Sequence, residues 1–138
     1  MFPYPSLVAL HVIADMVWIG SILSVGLILS AHGVASPRER AKIALAPYRC
    51  LAVPAFVLSL VTGITCLVLD PTRSLLKIPS MHLKLTLAFG VILIHHWVGI
   101  SARKTVSGRV ESSLPVWVVV ALLVLACGAA WLGVVKPF

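Results

Sequence analysis

The chain has 138 residues, of which 60% are hydrophobic and only 11% charged, with a mean hydropathy of +1.09. A soluble domain carries about 25% charged residues, so a freely soluble fold is excluded. The formal charge of +7 comes with no base-reading motif, and membrane topology with anionic lipid headgroups accounts for it without nucleic acid.

Four apolar stretches, Leu7–Ala31, Leu51–Leu69, Leu85–Ala102 and Leu114–Val135, each approach the roughly 20 residues that a bilayer-spanning helix needs. They predict an all-α integral membrane four-helix bundle forming one domain over residues 1–138, with helices over about 6–32, 37–69, 81–104 and 114–135. The first stretch lacks a basic start and exceeds the length of a signal-peptide core, so it is expected to stay in place as a helix. Arg38, Arg40, Lys42, Arg49, Arg103, Lys104 and Arg109 belong to the first and third connections, against Arg73, Lys77 and Lys136 on the other side. That asymmetry predicts cytoplasmic first and third connections and two periplasmic termini, in a bacterial inner membrane.

Helix 1 carries His11, Asp15 and Trp18, which fall within roughly 40° of one stripe at 3.6 residues per turn. Asp15 is costly in hydrocarbon, at about 2.5–3.5 kcal/mol on insertion scales, and should face the bundle interior as a structural partner or a proton-handling group. His32 lies about 31 Å from His11 along the helix, near the opposite face. Ser36-Pro37-Arg38-Glu39 reads as a capping box that starts helix 2. Pro47 and Pro54 predict kinks there. The core of helix 2 has no ionisable side chain and reads as scaffold, with Thr62, Gly63 and Thr65 permitting close approach. Asp70-Pro71 suggests a short interfacial helix to Lys77, and Ser80 is expected to cap helix 3.

Helix 3 concentrates the polar residues. His82 and His96 are 14 positions apart, nearly in phase and about 21 Å apart along the axis. Lys84 and His95 are 11 apart and again roughly in phase, about 16 Å apart. Two polar stripes predict a central helix, with His82 and Lys84 at the same side of the membrane as His11. Ser113 is expected to cap helix 4, whose Trp117 and Trp131 read as interface anchors. Cys50, Cys66 and Cys127 are dispersed and read as small apolar fillers, with no metal and no disulfide.

Histidines in a small membrane bundle can ligate haem iron, bind copper or relay protons. Facing histidines in a four-helix bundle are a known way to hold b-type haem. Met1, Met16 and Met81 form no cluster of the kind that copper transport usually recruits.

The motifs in order resemble the HemJ-type protoporphyrinogen IX oxidases, within the wider CopD-like group of membrane proteins. His11 followed by Trp18, with His32 at the helix end, is similar to that family's first helix. His82-Leu83-Lys84-Leu85 resembles its His-x-Lys-Leu motif, His95-His96 its histidine pair, and Val135-Lys136-Pro137-Phe138 its ending. The chain departs from the family at Gly26-Leu27, where a Pro-Arg pair is usual, and at Ser112-Ser113, where Asn-Glu precedes the proline. Asp15 stands at an ordinarily apolar position.

The resemblance implies six-electron oxidation of protoporphyrinogen IX to protoporphyrin IX, with haem b as cofactor and electrons passed toward quinone. By that resemblance His11 is an axial haem ligand, His82 or His96 the second, Trp18 lines the cofactor, and Lys84 and Asp15 are the catalytic candidates. The alternative is a non-catalytic CopD-like protein, either a copper-handling module or a haem-bearing accessory subunit of a larger membrane complex. Homo-oligomerisation is compatible with so small a bundle.

Overall fold

A computed structural model describes residues 3–31, 33, 35–72, 74–110 and 114–135. Four helices are long and apolar enough to cross a membrane: α1 (Tyr4–Ser30), α2 (Pro37–Val68), α3 (Pro79–Val106) and α4 (Val116–Val135). The described residues contain no strand, so the chain is an all-α four-helix membrane bundle. The expected cap at Ser113, the residues Ser112 and His32, and the Lys136–Phe138 ending lie outside the described residues.

The helices pack in a ring. α1 lies against α2 and α4, and α3 lies against α4 and the first half of α2. The core sits toward the end that carries the basic α1–α2 and α3–α4 connections. There Trp18, Ile22, Val25 and Leu29 form one stripe of α1, and meet Ala41, Ala44 and Ala52 of α2, Val91, Val98 and Ala102 of α3, and Val118 and Leu122 of α4. The spacing 18, 22, 25, 29 keeps one side chain per turn on the inward face. Outward faces are apolar too: Val116, Trp117, Val120, Val124, Trp131 and Val134 of α4 are all more than half exposed. An apolar outer face is what a lipid solvent requires.

α2 starts as its sequence predicts. Ser36 Oγ accepts from the Glu39 amide, and the Glu39 carboxylate accepts from the Ser36 amide at 2.9 Å. The expected kinks take a different form. Between Pro47 and Pro54 the helix widens into a π-helical turn, Tyr48–Ala52, closed by the Val53 amide donating to the Tyr48 carbonyl. Pro54 has no N–H and its ring would press on the carbonyl four residues back, at Cys50. Widening the turn relieves that conflict without ending the helix. Beyond it, the second half of α2 stays on α1 and barely touches α3.

The α2–α3 connection also differs from expectation. Pro71 starts no helix. Instead Asp70 accepts from the amides of Thr72 (3.0 Å), Ser74 (2.9 Å) and Leu75 (3.0 Å) and from the Thr72 hydroxyl (2.8 Å). A single 3₁₀ turn follows at Leu75–Lys77. A carboxylate can satisfy several amides at once, so a local turn wins over a helix that the short segment could not sustain. α3 then begins at Pro79 with Ile78 as its cap residue, which places Ser80 inside the first turn rather than at the cap.

Close approach is decisive at Gly99 of α3. A Cβ there would overlap the hydroxyl and ring of Tyr48. Gly99→Ala should therefore destabilise the protein despite gaining helix propensity. The propensity gain is about 0.8–1 kcal/mol, whereas forcing a methyl into a filled core costs about 1–3 kcal/mol. Thermal unfolding in detergent should show a lower midpoint.

The Asp70 turn should be acid-sensitive. The Leu75 amide first, then the Thr72 hydroxyl and the Thr72 and Ser74 amides, pull this carboxyl from 3.8 down to about 2. A depressed carboxyl stabilises the fold above its unfolded value and loses that contribution as pH falls through the folded one. Amide exchange at Leu75 should therefore speed up as pH drops from about 3.8 toward 2, relative to intrinsic rates. Asp70→Asn should abolish the effect.

Candidate functional site

The two adjacent histidines of α3 have opposite environments. His95 is 1% exposed and points into the bundle, while His96 is exposed. Adjacent helix positions differ by about 100°, so a doublet cannot present both rings to one partner. The phase pairs hold: Lys84 is partly buried and His95 buried on one side, while His82 and His96 are both exposed on the other.

His95 is surrounded by aromatic rings. Phe56 and Tyr48 stack on it at 4.9 and 5.2 Å, and Trp18 meets it edge-on at 5.9 Å. The indole N–H of Trp18 donates to His95 Nδ1 at 3.1 Å. Tyr48 Oη lies 3.5 Å from His95 Nε2. Three helices thus converge on one imidazole. The ring of His96 touches Phe56 and His95 at 5.7 and 5.2 Å. Its nitrogens have no hydrogen-bond partner among the described residues.

Beside these rings lies a half-enclosed cavity of about 300 Å³, lined by Tyr48, Arg49, Val53, Phe56, Val57, His95, His96 and Arg103. Its size is at the lower end of the range for small-molecule sites, about 300–1,000 Å³. It opens where α2 departs from α3, and the π-helical turn supplies Tyr48 and Arg49 to its wall. Single-turn π segments in α-helices are frequent at functional sites. Arg103 donates through Nε to the Gly99 carbonyl at 3.1 Å, and its guanidinium lies beside Tyr48 Oη. The cavity therefore has an aromatic face, two guanidinium groups and one free imidazole.

A second polar cluster joins α1 to the second half of α2. His11 Nδ1 lies 3.0 Å from the Ser59 carbonyl and 3.3 Å from Thr62 Oγ1. The Thr62 hydroxyl hydrogen is directed to the Leu58 carbonyl at 2.7 Å. His11 Nδ1 therefore carries the hydrogen and donates. Its Nε2 faces Asp15 Oδ2 at 3.5 Å, and Ser59 Oγ donates to the other Asp15 oxygen. A Cβ at Gly63 would stand 2.9 Å from the His11 ring, so this glycine admits the imidazole.

No family model, curated protein or solved structure matches this chain. The site's chemistry rests on its geometry alone. His11 and Asp15 are brought together, but by Ser59 and Thr62 of α2, the segment whose sequence reads as scaffold. His82 lies exposed near the start of α3 and meets neither His11 nor His96. The Lys84 ammonium reaches α4, 3.1 Å from where a Cβ of Gly133 would be. It is 12 residues, or about 18 Å along the axis, from His96. Trp18 is buried behind His95 rather than in the cavity wall. Tyr48, Arg49, Phe56 and Arg103 were not singled out by the sequence as site residues. The paired prolines around Tyr48–Ala52 were the one signal that could have pointed to them.

The doublet should split in function. His95→Phe keeps the volume but leaves the Trp18 N–H unpaired inside the bundle, at a cost of about 1–3 kcal/mol. His96→Phe, at an exposed position, should change stability by no more than about 0.5 kcal/mol. Paired unfolding curves in one detergent check this.

Proposed function

We propose that the protein is a porphyrin-binding membrane oxidoreductase of the HemJ type, and that the cavity between α2 and α3 holds the tetrapyrrole. The observation that carries this reading is the joint presence of Arg49, Arg103, a free His96 imidazole and the Phe56 ring on one cavity wall. A tetrapyrrole dianion needs cations for its propionates and an apolar, aromatic wall for its ring, and a half-enclosed site leaves the rest of the macrocycle in lipid.

The residues fit a haem b held at one histidine. His96 offers the unengaged ring nitrogen in the cavity. His95 Nδ1 is committed to Trp18, both nitrogens of His11 are engaged, and His82 is about 21 Å along α3 from His96, too far to share an iron. Bound haem would supply one-electron redox chemistry between the reduced substrate and a quinone acceptor. The chain's own contributions are binding and orientation. Arg49 and Arg103 would fix the carboxylates, Phe56 and Val53 would shape the ring site, and the His11–Asp15 pair would hold a proton within the membrane. Lys84 stands apart from this cavity, and in this reading it steadies the α3–α4 pair.

The basic connections are assigned to the cytoplasmic side of a bacterial inner membrane, so that both termini face the periplasm. Copper handling is the weaker alternative. Among the described residues, no group of three His, Cys, Asp or Glu side chains converges as a metal site.

Detergent-purified protein should show a Soret band, alone or after haemin is added. His96→Ala should lose it, and His82→Ala should keep it. A colourless protein carrying stoichiometric copper would sink the reading. Rescue of a strain lacking protoporphyrinogen oxidase should accompany haem binding in a catalyst. Haem binding without rescue would identify a haem-bearing accessory subunit.

A further inference from the structure

The polar wall of the cavity has a direction. An indole N–H can only donate, so His95 Nδ1, 3.1 Å from Trp18, is the unprotonated nitrogen of the ring. A neutral imidazole then carries its hydrogen on Nε2, and that nitrogen faces Tyr48 Oη. Tyr48, whose ring stacks on His95 with Oη 3.5 Å from Nε2, therefore cannot donate to that nitrogen. Such a donation would need a hydrogen on Nδ1 pointing at the indole hydrogen. An imidazolium fails for the same reason.

The hydroxyl hydrogen of Tyr48 is consequently left over. Tyr48 is 4% exposed and lines the cavity, and no acceptor among the described residues takes this hydrogen. Arg103 beside it is a donor as well, and so is Arg49 on the same wall. A buried donor without an acceptor is costly, and three donors around one cavity call for an acceptor-rich, anionic group.

We propose, resting on the porphyrin-binding reading above, that Tyr48 donates its hydroxyl hydrogen to a carboxylate of the ligand between Arg49 and Arg103. Trp18 is the positioning residue that sets this direction through His95. Without the indole donor, His95 is free to move its hydrogen to Nδ1. Tyr48 then donates to Nε2 and is lost to the ligand. Trp18 thus acts on a ligand that it does not touch.

The test titrates the full chain in detergent with haemin and with its dimethyl ester, followed by absorbance. The wild type should bind the diacid. Tyr48→Phe and Trp18→Phe should each weaken diacid binding roughly tenfold, the size of a hydrogen bond to a charged group. Binding of the diester should change by less than about twofold, since no charged acceptor remains. The double variant should be no weaker than either single one, because both remove the same bond.

Unchanged diacid affinity in Tyr48→Phe would overturn the proposal. So would equal losses for diacid and diester, which would indicate a merely structural effect, or losses that add in the double variant. If the wild type binds neither compound, the porphyrin reading fails and this inference with it. A folding-independent check is the ¹⁵N spectrum of histidine-labelled wild type, where His95 should show a hydrogen on Nε2 and none on Nδ1. A hydrogen on Nδ1 would sink the assignment even if Trp18→Phe does not fold.

Discussion

The hydrogen bond from Trp18 to His95 holds the centre of this bundle together. It crosses from α1 to α3, two helices that otherwise touch little. In a membrane the hydrophobic effect does not drive helices together, because lipid is as apolar as the side chains. Association falls to packing and to hydrogen bonds between helices. A buried imidazole with aromatic rings on several sides supplies both, and its direction-giving partner is a group that can only donate. The cavity, the tyrosine hydroxyl and the exposed second histidine all take their positions from this ring.

The rest of the molecule divides its work along the membrane normal. Toward the basic end, small residues such as Ala41, Ala44 and Ala102 let the helices approach. Toward the termini the second half of α2 stays on α1 and parts from α3, and polar contacts join packing within each helix pair. His11 with Asp15 and Ser59 is one such contact, and Lys84 against α4 is another at that end. Each lies on a single helix pair, so the two ends are joined by few contacts outside the helices themselves.

The four spans, their approximate limits and the capping box at Ser36 were legible in the sequence, because hydropathy and cap chemistry act over short windows. The meeting of Asp15 with His11 was legible too, since four residues bring side chains to one face, although the Asp15 side chain stays partly exposed. The phases of α3 sorted His82 with His96 and Lys84 with His95. What phase cannot give is which stripe faces inward, and the conspicuous doublet hid an inner and an outer member. Thr62 was read as a packing residue and Ser59 drew no reading at all, because hydroxyls carry no signal until a partner is known. Tyr48 and Arg49 were hidden for a different reason. A wheel drawn at 3.6 residues per turn through all of α2 is wrong after Pro47.

That wheel error has a developmental counterpart in the gene. The π-helical turn holds one residue more than an α-turn would, so it acts as a phase adjuster between two halves of one helix. Ser59, Thr62 and Gly63 meet His11 only because the adjustment has been made upstream. A codon lost between positions 48 and 52 would yield a more regular helix, and would turn its entire second half by about 100°. Substitutions along α2 act locally, whereas length changes in this one turn would reassign every downstream side chain at once. The spacing between Pro47 and Pro54 is therefore as much a part of the protein's specification as the identity of any residue within it.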